Sequence, residues 1–458
     1  MDGGGVSGRR VIVVGAARSG IAAATWCAVQ GARVVLADRR EAIGERAALE
    51  AAGVEVVLGP HRDETFADAD LVVVSPGVPP ELPVLETARR AGAEVIGEFE
   101  FATRRLRGRI VAITGTKGKS TTTTLVGRMF EEGGFRTRVG GNIGVPLSAQ
   151  IDDSTPDTIH VIEASSFQLE MAPTFHPAIA VFLNFSPDHL DRHGTEAAYG
   201  AAKAQIVARQ VDSDVAVLNA DDPAVARLVG HTRARREWFT VAEPSVQGAG
   251  IVDGAIVHRG AEGSSTRLAP VSSIRLIGPH LVADVVAAAC TAHVGGVAPA
   301  AIERAIAGFG GLEHALELVA TIEGVRFVND SKATNVEAAR RSIESFEGGV
   351  VAIVGGRFKG GDLGGLRGPL AARGTAVVAI GEAAGLVRTA LGTTVPVHDA
   401  PTLDAAVDLA WRLVPPGGVV VLAPACASHD MFRDYAERGR VFTDAVRRLE
   451  ASRVRGER

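Results

Sequence analysis

The chain has 458 residues, 46% of them hydrophobic and 5% aromatic, and a formal net charge of −5. This length accommodates about three domains, and the acidic balance argues against general affinity for nucleic acid. No apolar run approaches the roughly 18 residues that a membrane-spanning helix needs, and the N-terminus lacks the apolar core of a secretory signal. The three cysteines are widely separated and form neither a metal-binding pattern nor a disulfide framework. We therefore expect a cytoplasmic α/β protein that neither binds nucleic acid nor inserts into a membrane.

Lysine is scarce in this chain. Of the 48 basic residues, 43 are arginine and five are lysine, so arginine serves wherever a general surface cation is needed. A lysine that survives this bias is expected where a compact ammonium or a deprotonable amine is required, and chance retention is the alternative. The five lysines are Lys117, Lys119, Lys203, Lys332 and Lys359.

The N-terminal segment has the pattern of a nucleotide-binding βαβ unit. An apolar strand at 11–15 leads into the turn 15–20, and a second strand ends at Asp38. Ala17 occupies the position of the second glycine of the dinucleotide fingerprint, and its methyl group would crowd a pyrophosphate. This favours a uridine nucleotide or another phosphate ligand over NAD. Arg40 follows the acid and is a candidate phosphate contact.

A third strand in this segment, 71–74, ends in a Ser-Pro-Gly turn that begins at Ser75. Ligands of open α/β sheets bind at the carboxyl ends of the strands, which makes Ser75 a candidate contact. A rigid turn without a ligand explains the same residues equally well. We place the end of the first domain at residue 97 and expect a charged helical connector at 98–109.

The central prediction concerns residues 111–124, where an apolar strand continues through a glycine turn into a helix. Backbone N–H groups of such a turn surround a phosphate at the positive end of the helix. Two residues, rather than the usual four, separate the glycines, so this is a shortened phosphate loop; an ordinary strand-to-helix turn is the alternative. The lysine of such a loop reaches the outer phosphates and the following hydroxyl holds magnesium. The predicted ATP-binding residues are Gly115, Thr116, Lys117, Gly118, Lys119, Ser120 and Thr121.

Two later strands end in polar side chains. Glu163 ends an apolar strand that lies beside the phosphate-loop strand if the sheet is parallel, where an acid can bind the magnesium of a nucleotide. The next strand ends in two aspartates and two histidines between 188 and 193, of which His189 is the predicted metal ligand, oriented by Asp188. Asn142, in a glycine turn, could orient a phosphate or a carboxylate, and a purely structural turn is nearly as good an interpretation.

Strands and helices alternate after a glycine-rich break at 308–312, which predicts another doubly wound sheet. Polar groups follow three of its strands, at 329–335, 357–362 and 423–430. The predicted fold is α/β with three domains: a Rossmann-like domain at 1–97, a central phosphate-loop ATPase domain with a parallel sheet at 98–311, and a Rossmann-like doubly wound domain at 312–458.

These motifs resemble the Mur ligase family over essentially the whole chain. The short phosphate loop at 115–120 is similar to that of Mur ligases and the related folylpolyglutamate synthases. The segments 163–170, 188–192, 329–335 and 424–428 resemble those of the members that add glutamate. The resemblance implies that ATP phosphorylates the L-alanyl carboxylate of UDP-N-acetylmuramoyl-L-alanine (UDP-MurNAc-L-Ala) and that the amine of D-glutamate captures the acyl phosphate. It thus implies a cytoplasmic enzyme of peptidoglycan precursor synthesis, expected to be a monomer; the sequence leaves the glutamate enantiomer open.

The resemblance also implies roles for individual residues. Two Mg²⁺ ions would accompany ATP, and Lys203 looks like the family's carbamylated lysine, a carboxylate-like group that arginine cannot form. The implied catalytic residues are Lys119, Glu163, His189 and Lys203, and the implied metal ligands are Ser120, Glu163, His189 and carbamylated Lys203. The implied substrate contacts are Arg40 and Ser75 for the uridine nucleotide, Asn142 near the acyl phosphate, and Lys332, Thr334, Lys359, Ser428 and Tyr435 around glutamate.

The chain departs from the family pattern in three places. Lys117 stands where asparagine is common. The family's His-Asn with a later Asn, near the adenine, appears here as His280-Leu281 with Asp284, and Ala315 follows His314 where arginine is usual. These departures affect the adenine side of the nucleotide and leave the residues of acyl transfer in place.

Three other functions are compatible with parts of the pattern. Another carboxylate–amine ligase, such as a folylpolyglutamate synthase or one of the other Mur enzymes, would share the phosphate loop. A nucleotide-dependent switch would bind ATP without releasing phosphate, but it would have no need for the polar loops of the third domain. A nicotinamide oxidoreductase is suggested by the first glycine turn alone.

Overall fold

The computed structural model describes residues 5–276 and 279–454, apart from the side chains of residues 191, 279, 280 and 454. The chain forms two compact units, Met1–Ser273 with Ala283–Ile306, and Ile274–Val282 with Ala307–Arg458. The first unit contains two sheets and the second contains one. None of the described helices combines the length and the apolar composition that crossing a bilayer requires.

The first sheet has five strands, all parallel, and confirms the predicted βαβ arrangement. Its strands are β1 (Arg10–Val14), β2 (Arg33–Asp38), β3 (Val54–Leu58), β4 (Leu71–Val74) and β5 (Glu94–Gly97). Its helices are α1 (Arg18–Val29), α2 (Arg46–Ala51), α3 (Asp63–Phe66) and α4 (Pro83–Arg90). The strand order is β3-β2-β1-β4-β5, with β1 and β4 side by side, so that the turns after these two strands meet at one edge.

The second sheet contains nine strands and begins after a short helix. Its strands are β6 (Arg109–Thr114), β7 (Thr137–Gly141), β8 (Ile159–Glu163), β9 (Ile179–Phe182), β10 (Val215–Asn219), β11 (Arg235–Phe239), β12 (Gly248–Val252), β13 (Ala255–Arg259) and β14 (Ser265–Pro270). The helices of this segment are α5 (Glu98–Thr103), α6 (Lys119–Glu132), α7 (Ser166–Leu169), α8 (Leu190–His193), α9 (Glu196–Ala208), α10 (Pro223–Leu228), α11 (Pro279–Val294) and α12 (Pro299–Gly308).

The strand order of the second sheet is β14-β13-β12-β11-β10-β9-β6-β8-β7. The strands from β7 to β12 are parallel, and β13 and β14 extend the sheet as antiparallel hairpins. The apolar strand β6 is buried between β8 and β9, as its run of Val and Ile predicts for a central parallel strand. Glu163 pairs in register with Ile113 of β6, which confirms the predicted adjacency.

The expected charged connector at 98–109 is helical only in its first half. Helix α5 ends at Thr103, and Arg109 already belongs to β6. Glu98 and Glu100 are buried rather than solvated. Ser148 donates hydrogen bonds to Glu98 through its hydroxyl and its backbone N–H, and burial still raises the pKa of this carboxyl. The segment is therefore a packed part of the core.

The third sheet has five parallel strands and one antiparallel edge strand. Its strands are β15 (Glu317–Ile322), β16 (Val325–Asn329), β17 (Val350–Gly355), β18 (Gly374–Ile380), β19 (Val397–Asp399) and β20 (Val419–Leu422). Its helices are α13 (Val336–Glu344), α14 (Arg367–Arg373), α15 (Ala384–Leu391), α16 (Leu403–Leu413) and α17 (Tyr435–Val454). The order β15-β16-β20-β17-β18-β19 brings the loops after β16, β20 and β17 together at one edge.

Helices cover both faces of the third sheet, with one apolar cluster on each face. The three sheets together confirm the predicted α/β fold with parallel-rich domains. The domain boundaries at 97/98 and 311/312 stay predictions.

Candidate active site

The turn between β6 and α6 has the conformation that its glycines allow. Gly115 and Gly118 have φ values of 155° and 80°, and Gly118 precedes the first residue of α6, Lys119. A Cβ on Gly118 would lie 2.2 Å from a carboxyl oxygen of Asp284, so this position needs both the backbone freedom and the small size of glycine. Backbone N–H groups at the start of a helix then remain available for an anion.

Hydrogen bonds from the neighbouring strand hold this turn in shape. The Asn184 side chain, just after β9, accepts a hydrogen bond from the N–H of Lys117 at 2.9 Å and donates one to its carbonyl at 3.1 Å. The Lys119 ammonium donates to the carbonyls of Gly115 and Thr116, each at 3.0 Å. Asn184 was not among the predicted site residues, although its place at a strand end next to the turn was visible in the sequence.

Glu163 is the centre of a hydrogen-bonded group beside the turn. Its carboxylate is 2% exposed and accepts bonds from the hydroxyl of Ser120 and the amide of Asn142, both at 2.7 Å. The two donors approach different oxygens of the carboxylate. A serine hydroxyl beside a carboxylate supplies hard oxygen ligands, which is the set that Mg²⁺ prefers, so these residues fit the predicted ion. Thr121, the remaining residue of the predicted loop, lies half-buried in the first turn of α6.

Lys203 reaches the same turn from α9. Its side chain is 1% exposed, its ammonium donates to the carbonyl of Gly115 at 2.7 Å, and it lies 4.7 Å from the centre of the Tyr199 ring. Burial, with the nearby Lys119 charge, lowers the pKa of Lys203 to about 7, and the charges of Asp188 and Glu163 oppose this shift only in part. Near neutral pH the amine is therefore half unprotonated and able to act as a nucleophile.

His189 lies on the loop between β9 and α9, exposed to solvent. Its φ of 52° falls in the left-handed region, and its ring packs edge-on against Phe167, with the ring centres 5.0 Å apart. The predicted orienting residue, Asp188, has a carboxyl oxygen 4.0 Å from Nε2 of His189 and accepts a hydrogen bond from its backbone N–H. The side chain of Asp191, from the same predicted cluster, lies outside the described residues.

Arg40 and Ser75 lie at the edge of the first sheet where a ligand was predicted, and both form hydrogen bonds to neighbouring residues. Arg40 donates to the carboxylate of Asp38 at 2.9 Å and to the carbonyl of Ala16 at 2.7 Å, and the hydroxyl of Ser75 donates to Gly15 at 3.0 Å. Ser75 is buried, whereas the Arg40 side chain is about half exposed. Asp38, with its pKa lowered to about 2, also accepts from the N–H of Ala16. Arg40 is thus fixed in place beside the glycine turn.

The remaining predicted residues lie on the three adjacent loops of the third sheet and, for Tyr435, at the start of α17. Backbone hydrogen bonds join these loops directly: Ala425 donates to Ala333, and Arg357 and Ala427 form a bonded pair. Lys332, Lys359 and Tyr435 are exposed, Thr334 is half-buried and Ser428 is buried. Two exposed lysines therefore lie on loops that are bonded to one another, an arrangement suited to a ligand with two carboxylates, whereas Ser428 is buried.

A buried arginine, Arg438, forms hydrogen bonds to these loops from the side of α17. It was not among the functional residues predicted from the sequence. Arg438, on the first turns of α17, is 1% exposed and donates to the hydroxyl of Ser331 at 2.9 Å, to its carbonyl at 2.8 Å and to the carbonyl of Cys426 at 3.1 Å. Burial lowers the pKa of Arg438 to about 10, well above neutral pH, so it remains charged. Ser331 in turn donates to the carbonyl of Tyr435. Arg438 therefore ties the loops of Lys332 and Ser428 to α17.

Two of the predicted departures from the family pattern involve buried residues, Asp284 and His314. The carboxyl of Asp284 is buried against Gly118, and burial raises its pKa to about 7. His314 is buried with Nδ1 2.9 Å from the Asn329 amide, and its φ is 64°. The side chain of His280 lies outside the described residues.

Three family models match the chain in succession. They are the N-terminal domain of MurD-like Mur ligases at residues 9–97, the Mur ligase middle domain at 113–292, and the Mur ligase glutamate ligase domain at 316–426. The matched segments coincide with the three sheets described above.

Relatives and solved structures agree with these matches. The UDP-N-acetylmuramoylalanine--D-glutamate ligase of Acidobacterium capsulatum is 47% identical over 445 residues, 96% of each chain. The enzyme of the same name from Koribacter versatilis is 42% identical, over 97% of this chain and 98% of its own length. The crystal structure of the UDP-N-acetylmuramate-alanine ligase MurC from Thermotoga maritima superposes with a TM-score of 0.57, covering 97% of this chain and all of that one. At 18% identity, this similarity supports the fold alone.

Proposed function

The chain belongs to the Mur ligase family, and we propose that it is an ATP-dependent ligase that adds D-glutamate to UDP-N-acetylmuramoyl-L-alanine in peptidoglycan precursor synthesis. The observation that carries the proposal is the 47% identity, over 96% of both chains, to a ligase of that name. Because the match covers 96% of both chains, the likeness extends through all three domains rather than through the ATP-binding core alone.

The reaction joins a carboxylate to an amine through an acyl phosphate. A carboxylate oxygen of the L-alanyl group attacks the γ-phosphorus of ATP, the bond to the β-phosphate oxygen breaks, and ADP leaves. The unprotonated amine of glutamate then attacks the acyl carbon. The carbon–oxygen bond to phosphate breaks, inorganic phosphate leaves, and the nitrogen loses a proton as the amide forms.

The glycine turn of the central domain binds the phosphates of ATP in this proposal. Backbone N–H groups at the start of α6 bind the anion, and the Lys119 ammonium moves its bonds from the turn's carbonyls to the outer phosphates. Asn184 keeps the turn open for the nucleotide, because it holds both polar groups of the Lys117 backbone. The cationic side chains offset charge that develops on the transferring phosphoryl group.

Ser120, Glu163 and His189 are the proposed ligands of Mg²⁺, with carbamylated Lys203 completing the set. Bound Mg²⁺ supplies positive charge that neutralises the phosphate oxygens of ATP during transfer. The support from this chain is the adjacency of the Ser120 hydroxyl and the Glu163 carboxylate at 2.7 Å. Asn142, bonded to the other oxygen of Glu163, orients that carboxylate and presents its amide toward the acyl group.

Lys203 is proposed to take up CO2 and become a carbamate. Its neutral nitrogen forms a bond to the carbon of CO2 and loses a proton to solvent, which converts a neutral amine into an anionic carbamate. The lowered pKa of Lys203, about 7, supports this proposal because the reaction needs the unprotonated amine. The change also removes the repulsion between the Lys203 and Lys119 ammonium groups, which contributes to that lowered pKa.

The loop surface of the third sheet is the proposed glutamate site. Lys332 and Lys359 offer exposed ammonium groups to the two carboxylates, and Thr334, Ser428 and Tyr435 offer hydroxyl groups. Arg40 and Ser75 are the proposed contacts of the uridine nucleotide at the edge of the first sheet. We further propose that the enzyme is cytoplasmic, because its ATP and nucleotide-sugar substrates are cytoplasmic metabolites, and that it acts as a monomer.

Phosphate release tests the function directly. The protein is incubated with ATP, Mg²⁺ and UDP-MurNAc-L-Ala, together with D-glutamate in one reaction and L-glutamate in another. We expect release of phosphate and formation of an amide product with the D enantiomer. Turnover with a pteroate and none with the uridine nucleotide would reject the proposal.

A further inference from the structure

A second group of buried polar side chains lies apart from the phosphate turn. It comprises Glu237 on β11, His258 on β13 and Cys290 on α11, whose exposed fractions are 1%, 8% and 0%. One carboxylate oxygen, one imidazole nitrogen and the thiol sulfur all lie within 4.8 Å of one another. Strands β9 and β10 separate β11 from β6, so this group is not part of the ATP site.

A fourth polar side chain faces the same group. His293 follows Cys290 by three residues on α11 and therefore lies on the same side of the helix. Its ring centre is 4.7 Å from that of His258. Its Nδ1 is buried and has no hydrogen-bond partner within the described part of the chain, although a buried imidazole nitrogen normally has one.

The carboxylate is already oriented by its neighbours. His258 Nε2 lies 3.0 Å from one oxygen of Glu237, and the amide of Gln247 donates to the other oxygen at 2.6 Å. Arg235 approaches the same oxygen as Gln247, at 3.3 Å. Supporting bonds of this kind are typical of carboxylates that bind a metal, because they fix the direction of the ligand oxygen.

We propose that Glu237, His258, Cys290 and His293 form a structural zinc site. Sulfur, two imidazole nitrogens and a carboxylate oxygen are the ligand types that Zn²⁺ takes in closed four-coordinate sites, whereas Mg²⁺ and Ca²⁺ prefer oxygen ligands throughout. The thiolate is the form of cysteine that binds zinc, so binding at Cys290 would release the thiol proton to solvent.

The ion would join two strands of the second sheet to α11. Six residues before Cys290, at a distance of about 9 Å along the helix, the carboxyl of Asp284 on α11 lies against Gly118 of the phosphate turn. A metal at Cys290 therefore fixes the helix that forms one wall of that turn. Cys290 and His293 are three residues apart on α11, but Glu237 and His258 lie on two strands, 53 and 32 residues before Cys290, so no sequence motif joins all four ligands.

The test uses the untagged full-length chain, because a polyhistidine tag binds zinc. The protein is incubated with ZnCl₂, desalted, and analysed for metal by mass spectrometry, and a second sample is loaded with Co²⁺ for absorption spectroscopy. We expect about one zinc per chain and, with cobalt, a thiolate-to-metal charge-transfer band in the near ultraviolet. Zinc at background level together with the absence of that band in the wild-type protein would overturn the proposal and leave a hydrogen-bonded network.

Variants assign the ligands. Cys290→Ser and His258→Gln are expected to weaken zinc binding by more than ~10-fold, and Cys290→Ser also abolishes the cobalt–thiolate band. Cys426→Ser, which changes another buried cysteine, serves as the matched control and retains both signals. Equal zinc retention by Cys290→Ser and wild type would show that the metal binds elsewhere. If a variant fails to fold, the wild-type cobalt spectrum still decides the question, because it needs no substitution.

Discussion

The central and C-terminal sites are assembled in different ways. In the central sheet the proposed catalytic groups bond to one another or to the turn: Ser120 and Asn142 to Glu163, and Lys203 to Gly115. In the C-terminal sheet the two lysines that we propose as glutamate contacts are exposed, and the hydrogen bonds lie beneath them, where Arg438 joins the loops. The first candidate site is held together through its own side chains, and the second through the backbone of its loops. Substitutions in the two regions should therefore alter different kinetic constants.

Glu163→Gln should produce the largest effect. The amide keeps the shape of the side chain but removes the negative charge at the centre of the hydrogen-bonded group, so kcat should fall on the order of 10³-fold. Phosphate release under saturating substrates measures this change. Glu55→Gln, at an exposed position on β3, is the matched control and should leave kcat unchanged. A change confined to KM would contradict a role in the chemical step.

Lys203→Ala should lower kcat by ~10²-fold, and a short-chain carboxylic acid should restore part of the activity by replacing the carbamate. Near-normal activity without any rescue would show that no carbamate is needed. Lys203→Arg keeps a cation but cannot form a carbamate under these conditions, and it should be as inactive as the alanine variant.

The lowered pKa of Lys203 should also make carbamate formation depend on pH. Because burial lowers the pKa of Lys203 to about 7, the amine is protonated below that pH and neutral above it. Uptake of ¹³C-labelled CO2, followed by NMR, should therefore rise between about pH 6 and pH 8. A carbamate signal that does not change over this window, or that persists in Lys203→Ala, would contradict the assignment.

Arg438→Lys tests the other half of the comparison. A lysine keeps the charge but cannot donate to all three acceptors of the guanidinium at once. The loops that we propose to bind glutamate should therefore no longer be held in fixed positions relative to α17. We expect KM for glutamate to rise by about 10-fold or more, with KM for ATP unchanged. Arg440→Lys, an exposed position two residues further along α17, is the control. A similar rise in KM for both glutamate and ATP would indicate general unfolding instead.

Asp284→Asn should give the smallest effect, on stability. Burial raises the pKa of Asp284 from 3.8 to about 7, so between these values the folded protein binds more protons than the unfolded chain, and stability falls as pH rises. The amide removes this penalty. Tm should therefore increase at pH 8 by a few degrees and by less at pH 4.5, as differential scanning fluorimetry would show. Asp212→Asn, at an exposed site, should show no such pH difference.

Local patterns predicted the parts of the molecule that depend on local chemistry. The turn at 115–120 was predictable because glycine spacing and a lysine–serine pair define its shape and its charge. The buried strands β6 and β8 were predictable from their apolar runs, and their pairing placed Glu163 next to the turn. The prediction of a charged helical connector at 98–109 was partly wrong, because a run of charged residues does not reveal that Glu98 and Glu100 are buried.

Other features depend on contacts between distant segments. The bond between Lys203 and Gly115 spans 88 residues, and that side chain was marked in advance by the scarcity of lysine and by the family resemblance, not by any local pattern around it. Arg438 is one of 43 arginines, and its role follows from burial beneath loops that arrive from two other strands. No spacing rule connects Glu237, His258 and Cys290, because an antiparallel extension of the sheet and a later helix bring them together.

The unequal use of the two basic amino acids has a practical consequence for labelling. Amine-directed reagents have five lysine targets in the chain, and three of them, Lys117, Lys332 and Lys359, are exposed on the predicted ligand-binding loops. An amine-reactive dye would therefore report ligand occupancy, because bound substrate should shield these positions from modification. For the same reason, coupling the protein to a biosensor chip through its lysines would block the surfaces that the experiment is meant to observe.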